Sequence, residues 1–319
     1  MKIRLGYVAI ALNLGKVTSS STLTYSRYSK LDEKEKLEKL KSITYSNLGA
    51  LEKILNYNID NSIHFYRITS NLIPLATHPN VLWDYKRYFK EDFKYIGKII
   101  RNSNMRVDLH PDQFNVINSL REDVVKSTLV NLNTAVDIFE LINYDEGKLV
   151  LHVGSAQGGK EKSIERFINN FNTFPDRVKR RIILENDDKI FTAKEVLEIC
   201  KTLKIPMVLD IHHHNCNNEG ENIEEYIEYI FKTWSNENLP PKIHFSSPRE
   251  FENDKKHSDF INSEDFISFL DKIKNKVNID FDVMIEAKKK DQALFELADN
   301  LKKYDNKVRF IDKTTIETI

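Results

Sequence analysis

The stretches KLVLHV at residues 148–153 and RIILE at residues 181–185 indicate the fold of this chain. Both are short apolar runs without polar alternation, which is the pattern of parallel strands buried on both faces. Each run also carries, at or near its end, a side chain that can bind a metal ion or move a proton, namely His152 or Glu185. Strands of this kind, alternating with helices, form the parallel sheet of an α/β protein.

The same pattern recurs on both sides of these runs and predicts eight strands. They cover residues 3–10, 62–69, 105–110, 148–153, 181–185, 206–212, 242–246 and 281–286. Amphipathic helical patterns lie between them, at about 37–55, 85–103, 118–143, 160–173, 192–203, 222–235, 263–275 and 291–303. This alternation predicts one α/β domain over residues 1–319, a single (β/α)8 TIM barrel to about residue 303 with a C-terminal extension over about 304–319.

Composition excludes several classes of protein. The 319 residues include 48 basic and 48 acidic side chains, so no chain-wide basic surface for nucleic acid is expected, although a local patch remains open. Two cysteines, Cys200 and Cys216, cannot build a disulfide scaffold. Because no apolar run approaches the roughly 18 residues that span a bilayer, we expect no membrane partner and a cytoplasmic protein, nucleoid-associated if the source is prokaryotic.

The C-terminal ends of barrel strands form the active site in this fold, and here those ends are rich in imidazoles and carboxylates. The candidates are His110, His152, Glu185, Asp210, His213, His244, His257 and Glu286. Such groups would be desolvated and unpaired without a shared ligand, and this donor set suits Zn²⁺, Mn²⁺ or Fe²⁺ better than Mg²⁺. The set exceeds the needs of one tetrahedral ion, which predicts two or three ions. His64 and His78 lie outside it, and His212 and His214 stay ambiguous.

Lys242 is the unusual member of this group. It lies two residues before His244 on the predicted seventh strand, so both side chains should point into the barrel, where an ammonium would repel divalent cations. Two alternatives remain open. Carboxylation by CO₂ would turn the lysine into an anionic oxygen ligand, or the lysine pairs with a surplus carboxylate.

Basic and aromatic residues are concentrated on the predicted upper rim. Residues 14–30 contain Lys16, Arg27 and Lys30 without an acid, and Lys288 begins a run of three lysines after the eighth strand. With Tyr25, Tyr28 and Phe114 nearby, this rim could hold a nucleic-acid backbone and an unstacked base. The alternative is a solvated lysine run beside core aromatics.

A series of short motifs runs through most of the chain. They are RLGY (4–7), TLTYSRYSKL (22–31), LHPDQF (109–114), LHVG (151–154), LENDD (184–188), DIHH (210–213), KIHFSS (242–247), HSDF (257–260) and IE (285–286). In this order and spacing they resemble the UV damage endonucleases, relatives of the endonuclease IV and xylose isomerase barrels. The resemblance implies a metal-dependent endodeoxyribonuclease that incises double-stranded DNA immediately 5′ to pyrimidine dimers, 6-4 photoproducts and some other lesions.

The resemblance also implies roles for individual residues. The metal ligands would be the eight strand-end residues together with Lys242 as N6-carboxylysine, holding up to three divalent ions, Mn²⁺ above all, with Zn²⁺, Mg²⁺ or Co²⁺ as alternatives. Gln113 and Phe114 would lie on a loop that enters the duplex, and Tyr7 would contact the substrate. Relatives can have tyrosine at the Phe114 position, so this chain keeps the stacking surface without a hydroxyl.

The resulting hypothesis is metal-assisted hydrolysis of a phosphodiester bond by a monomeric enzyme, with Glu185, Lys242 and His244 as catalytic residues and Tyr7, Gln113, Phe114, Arg27 and Lys288 as DNA contacts. Flipping costs least where stacking is already damaged, which favours distortion over base identity as the selected feature. Three alternatives stay open: an abasic-site endonuclease of the endonuclease IV type, a metal-dependent sugar isomerase, and a damage-binding module with structural metal.

Overall fold

The computed structural model describes residues 1–319. Its strands are β1 (Lys2–Val8), β2 (Phe65–Ile68), β3 (Arg106–Leu109), β4 (Lys148–His152), β5 (Ile182–Glu185), β6 (Met207–Asp210), β7 (Lys242–Phe245), β8 (Phe281–Ile285), β9 (Val308–Phe310) and β10 (Thr315–Thr318). Its helices are α1 (Tyr25–Tyr28), α2 (Glu33–Asp60), α3 (Tyr85–Asn102), α4 (Glu122–Leu141), α5 (Lys160–Thr173), α6 (Asp176–Lys179), α7 (Ala193–Leu203), α8 (Ile211–Cys216), α9 (Ile227–Lys232), α10 (Ser263–Ile273) and α11 (Lys290–Leu301). None of these helices is long and apolar enough to span a bilayer.

The strands β1 to β8 form a closed parallel barrel. Each strand pairs with the next in chain order, and β1 closes the ring by pairing in parallel with both β8 and β2. Almost every residue of β2 to β8 is buried, because the helices cover the outside and side chains fill the inside. The predicted TIM barrel is therefore confirmed, and all eight strand ends face one rim of the molecule.

The C-terminal extension forms a hairpin that the sequence analysis did not predict. Strands β9 and β10 are antiparallel, and β10 pairs with the first half of β1 at Lys2, Ile3 and Arg4, whereas β2 pairs with the second half at Tyr7 and Val8. The hairpin thus fills the gap that opens between β1 and β2 at the lower end of the barrel. It protects an otherwise unpaired strand edge.

The sixth strand is shorter than predicted. It was expected to reach His212, but β6 ends at Asp210, whose side chain accepts a hydrogen bond from the His213 backbone nitrogen at 2.8 Å. This contact is an N-cap, so the chain turns directly into the short helix α8. His212, His213 and His214 are consequently helical, and three-residue spacing brings only His213 back beside Asp210.

Two helices also begin at residues other than those predicted from the sequence. Asp32 and Glu35 form a reciprocal capping box, which starts α2 four residues before the predicted helix. Residues 222–235 were predicted as one helix but form a 3-10 turn at Ile223–Glu225 followed by α9.

The lower half of the barrel interior contains a group of mostly buried charges, here called the lower layer: Arg4, Arg106, Asp108, Lys242 and Asp282. Asp282 accepts hydrogen bonds from Arg4 Nε at 2.6 Å and Arg106 Nη1 at 2.8 Å. The Arg106 guanidinium is also sandwiched at 5.0 Å from the rings of Phe65 and Trp234. Ion pairs and aromatic faces therefore compensate the desolvation of these groups within the fold.

Candidate metal centre

Seven of the predicted ligand residues converge at the upper end of the barrel. They form three overlapping groups, in each of which the potential ligand atoms lie within 4.8 Å of one another: His110, His152 and Glu185; Glu185, Asp210 and His213; Asp210, His244 and Glu286. We call these seven residues the metal centre. They belong to strands β4 to β7, to the short helix α8 and to the positions that directly follow β3 and β8, so the barrel itself fixes their places.

Glu185, the last residue of β5, lies at the middle of the metal centre. Its Oε1 is 2.9 Å from His244 Nδ1 and 3.5 Å from His213 Nδ1, and its Oε2 is 3.3 Å from His110 Nε2. His152 Nε2 lies 3.8 Å from the same Oε2. One carboxylate thus faces four imidazoles, which is the placement expected of a group shared between ligand sets.

The carboxylates and imidazoles shift one another's proton affinity. Burial raises the pKa of Asp210, to about 6, with help from the neighbouring Glu185 and Glu286 carboxylates. Burial would also raise the pKa of Glu185, but the imidazoles of His244, His152 and His110 outweigh it and hold that pKa well below its usual range. Burial disfavours the charged form of His213, yet Asp210 and Glu185 raise its pKa to about 9.

Two observations test whether divalent cations fit here. Glu185 Oε2 and Asp210 Oδ2 are buried oxygens without any hydrogen-bond partner, a costly state that a cation would relieve. Three imidazoles also direct Nδ1 at backbone carbonyls, of Pro111 for His110, Glu185 for His152 and Asn186 for His213, at 2.9, 3.3 and 3.0 Å. Such bonds fix the tautomer that leaves Nε2 free as a ligand. The donor set fits.

His257 lies at the edge of the metal centre, with Nδ1 4.0 Å from Glu286 Oε2. His212 is buried with its ring centroid 5.4 Å from that of His257, so it packs behind the metal centre. His214 is also buried, and burial lowers the pKa of both His212 and His214. Both belong to α8 and lie outside the three ligand groups.

Arg67 on β2 is a residue of the site that the sequence analysis missed. Its guanidinium donates to Glu286 Oε1 and lies 3.2 Å from His244 Nε2, and its Nε is buried without a partner. Burial would raise the pKa of Glu286, but the charges of Arg67 and His244 outweigh it and hold that pKa below its usual range. A charged residue inside an apolar four-residue strand was the available sequence signal.

Lys242 does not reach the metal centre in this structure. Its side chain is fully buried, and Nζ lies 2.6 Å from Asp108 Oδ2, which is the lysine–carboxylate pairing that the sequence left open as one alternative. Burial lowers the pKa of Lys242 to about 8 against the attraction of Asp108. Asp108 is the second residue near the site that the sequence analysis did not single out.

The predicted DNA contacts fall into two groups. Phe114 is 75% exposed at the tip of the loop after β3, beside the exposed Gln113, and Arg27 and Lys288 are exposed on the same rim. Tyr7 differs, because it is fully buried and its hydroxyl donates to Asn58 Oδ1 at 2.8 Å. In this structure Tyr7 is therefore not accessible for the direct substrate contact that was expected of it.

The chain is similar to known proteins over nearly its whole length. A sequence model of the family described as UV-endonuclease UvdE matches residues 3–317. The UV DNA damage endonuclease of Bacillus mycoides (strain KBAB4) is 41% identical to this chain, over 93% of this chain and 94% of that relative. The UV DNA damage endonuclease of Bacillus cereus (strain B4264) is 40% identical, over 94% of this chain and 95% of that relative.

Solved structures agree with this relationship. The crystal structure of SacUVDE superposes with a TM-score of 0.84 at 34% identity, covering 95% of this chain and 99% of that one. Endonuclease IV from Thermus thermophilus shares only the fold, with a TM-score of 0.54 at 13% identity over 95% of this chain and 98% of its own. The chain belongs to the UvdE family of UV damage endonucleases.

Proposed function

We propose that this protein is a DNA repair endonuclease that incises the backbone immediately 5′ to UV photoproducts, with abasic sites as a further substrate. The proposal rests on membership of the family and on relatives named UV DNA damage endonuclease. The observation that carries the chemistry is Glu185, whose carboxylate faces the imidazoles of His110, His152, His213 and His244 across less than 4 Å.

Up to three divalent ions would be held by the metal centre together with His257 at its edge and a carboxylated Lys242. Mn²⁺ is the favoured metal, with Zn²⁺, Mg²⁺ or Co²⁺ as alternatives. When bound, divalent ions lower the pKa of water and stabilise charge on the attacking and leaving oxygens of a phosphodiester. Glu185 is the residue best placed to be shared between neighbouring ions. His244 contributes a fixed imidazole, since Glu185 and Arg67 contact its two ring nitrogens.

Residues outside the metal centre would hold the duplex. Arg27 and Lys288 are exposed cations on the rim and would contact phosphates. The exposed ring of Phe114 would stack in the space left by displaced bases, and Gln113 would contact the neighbouring base edges. We expect the protein to act as a monomer, which size-exclusion chromatography with light scattering would test.

Lys242 carboxylation is part of the proposal and has its own test. The neutral amine adds to CO₂ and releases one proton, giving a carbamate that removes the positive charge from the metal side of the barrel. The buried Nζ, lying beside Asp108, would leave that ion pair and turn toward His244. Native mass spectrometry of the metal-loaded protein at neutral pH should show one added CO₂, absent from Lys242→Met.

The central experiment is incision of an end-labelled duplex with one defined thymine dimer, with Mn²⁺ and with EDTA. Undamaged and abasic duplexes serve as controls. We expect a metal-dependent nick immediately 5′ to the dimer and none in undamaged DNA. Cleavage of the abasic duplex alone would replace the proposal with an abasic-site endonuclease, and binding without cleavage at any metal concentration would indicate a damage-binding protein.

A further inference from the structure

The solvent-facing side of α3 carries more excess positive charge than any other helix of the barrel. Between Tyr85 and Asn102 there are six lysines and arginines, but Glu91 and Asp92 are the only acids, whereas no other helix has more than one cation in excess. Because the whole chain has equal numbers of basic and acidic side chains, this is a local concentration of charge. Such a patch on a neutral protein indicates an anionic partner.

Four of these cations form a single row, here called the α3 stripe: Lys90, Lys94, Lys98 and Arg101. Steps of four, four and three residues place them on one face of the regular part of the helix, which follows a kink at Phe89. All four are exposed. At 1.5 Å per residue the row extends over about 16 Å.

The surroundings leave most of this charge uncompensated. Of the three lysines only Lys94 has a carboxylate partner, Glu91 at 2.7 Å, and an exposed pair of this kind is weak enough for another anion to replace it. Asp137 on the neighbouring helix α4 already pairs with Lys86 and Arg177. The stripe is therefore open to a ligand with several negative charges.

The stripe lies on the outer wall of the barrel and not on the rim that holds the metal centre. It runs down α3 toward the lower end, where Arg101 Nη1 donates to the carbonyl oxygen of Asn143, shortly before β4 begins. Duplex DNA is stiff, with a persistence length of about 50 nm, so a segment that lies over the metal centre does not follow the stripe as well without a sharp bend. The stripe can therefore serve a separate segment.

Duplex DNA matches the stripe in charge density. A duplex carries one phosphate charge per ~1.7 Å of its axis, so a row of this length faces about ten phosphates. Lysine and arginine contacts to phosphates position a duplex without reading its sequence, and they need no pocket. This dense and regular line of charge favours a duplex over the scattered carboxylates of an acidic protein.

We propose that the α3 stripe is a second DNA-binding surface, which holds an undamaged stretch of duplex by its phosphates while another stretch lies over the metal centre. The inference takes duplex DNA as the ligand from the proposed function and adds a surface that the chemistry of incision does not use. A protein that holds two segments at once can pass from one to the other, and such contacts depend strongly on salt.

The test removes the charge of the stripe and, separately, the same charge elsewhere. The stripe variant is Lys90→Gln/Lys94→Gln/Lys98→Gln. The matched control, on α5, α7 and α9, is Lys162→Gln/Lys201→Gln/Lys232→Gln, in which all three lysines are exposed. Lys201 pairs with Glu198 three residues before it, as Lys94 pairs with Glu91, so each variant loses one such pair. Thermal unfolding checks that both variants fold.

Binding of a second duplex is measured in EDTA, so that no strand is cut. Each protein is saturated with a dimer-containing duplex that carries one dye, and an undamaged duplex with another dye is then added at a series of salt concentrations. Fluorescence anisotropy of each dye reports whether its duplex is bound. Poly-L-glutamate, added at the same concentration of charge, competes as a model of an acidic protein.

We expect the wild type and the control variant to bind the second duplex with a slope of log K against log salt of about −3.6, and the stripe variant to bind it more than tenfold more weakly with a slope of about −0.9. All three should bind the dimer duplex alike and cut it with the same kcat in Mn²⁺. No second duplex on the wild type, equal losses in both variants, or equal displacement by poly-L-glutamate overturns the inference. If no protein cuts the dimer duplex, the proposed function fails, and uptake of undamaged duplex in EDTA still decides on the stripe.

Discussion

Both ends of the barrel interior contain buried charged side chains, but the surroundings that compensate these charges differ. In the lower layer, Asp282 contacts two arginines, and aromatic rings cover the guanidinium of Arg106. In the metal centre, Glu185 Oε2 and Asp210 Oδ2 are buried without a hydrogen bond. Arg106 Nε and Nη2 also lack hydrogen-bond partners, but this cation lies beside the carboxylates of Asp108 and Asp282, so the chain itself balances the charge of the lower layer. In the metal centre the unpartnered atoms are carboxylate oxygens among imidazoles, which is the donor set of a divalent cation.

Lys242 and Asp108 are members of the lower layer that lie two residues before His244 and His110 of the metal centre. They pair with each other in the manner of the lower layer, yet Asp108 Oδ1 is buried without a partner in the manner of the metal centre. Burial by itself is therefore a poor guide to function in this barrel. The better guide is the chemistry of the unpartnered atoms: in the metal centre they are carboxylate oxygens among imidazoles, whereas those of Arg106 are donors that lie beside carboxylates.

The strongest test of the comparison is Glu185→Gln in the metal centre. The amide keeps the shape but loses the charge that cations require, so incision of dimer-containing DNA should fall by about 10⁴-fold, or ~5.4 kcal/mol in activation free energy. Binding of damaged DNA, measured by fluorescence anisotropy, should be largely unchanged. Glu237→Gln, which removes a carboxylate paired with Lys148 at the opposite end of β4, is the control. Retained turnover in Glu185→Gln would remove this residue from the mechanism.

That residue also illustrates what the sequence could predict. Glu185 ends an apolar run, and the rule that active sites lie at strand ends was enough to select it together with six other members of the metal centre. Arg67 and Asp108 lie inside strands, where the same rule gives no signal, and only the closed barrel brings Arg67 to Glu286. The hairpin was missed because β9 (VRF) and β10 (TIET) lack the continuous apolar run of the barrel strands; β10 is placed by its pairing with β1, and β9 by its pairing with β10.

The opposite result is expected for Asp282→Asn in the lower layer. The substitution removes the carboxylate shared by the buried guanidinium of Arg106 and the partly buried one of Arg4, and leaves Arg106 only Asp108 Oδ2 at 3.7 Å. Breaking a buried ion pair typically costs about 3–5 kcal/mol in unfolding free energy. The folded fraction should keep its incision rate, since no metal-centre residue touches Asp282. Urea denaturation compared with the exposed Asp280→Asn variant measures the loss. A stable but inactive Asp282→Asn protein would show that the two regions are one functional unit.

Arg67→Met tests whether a positive charge next to the metal centre positions it. Arg67 contacts the ligand residues Glu286 and His244 but is not itself one of the predicted ligands. Its loss should therefore reduce metal affinity or activity by about 10–100-fold. A titration with Mn²⁺ should show a higher half-saturating concentration, and Arg67→Lys should recover part of the effect. An unchanged metal requirement with lowered activity would instead place Arg67 on the substrate.

Phe114→Ala and Phe251→Ala together compare two exposed aromatic residues on opposite sides of the rim. Phe114 follows β3 and is 75% exposed, and Phe251 follows β7 and is 66% exposed, so the second serves as a control for lost surface hydrophobicity. Stacking contributes about 1–3 kcal/mol per base, so Phe114→Ala should lose roughly tenfold in kcat/KM on a dimer duplex. Phe114→Tyr should retain activity. Equal losses in both alanine variants would argue against a wedge at Phe114.

The smallest effect is expected at the hairpin, which pairs with the first half of β1 at the same end of the barrel as the lower layer. Asp312 accepts hydrogen bonds from the Thr314 and Thr315 backbone nitrogens at 2.9 and 2.8 Å, and its Oδ2 lies 2.8 Å from His64 Nε2. Partial burial opposes these contacts, but together they hold the pKa of Asp312 below its ordinary value.

A lowered carboxyl pKa stabilises the fold above the unfolded-state value of about 3.9, and this contribution disappears as the pH falls through the folded-state pKa. Because solvent screens this half-buried group, Asp312→Asn should lose only about 1 kcal/mol of unfolding free energy at pH 7, with the difference from wild type shrinking below about pH 4. Incision at neutral pH should stay at the wild-type rate. A difference that grows on acidification would mean that Asp312 is not stabilised as a carboxylate, and the hairpin would then be held by its β10–β1 pairing alone.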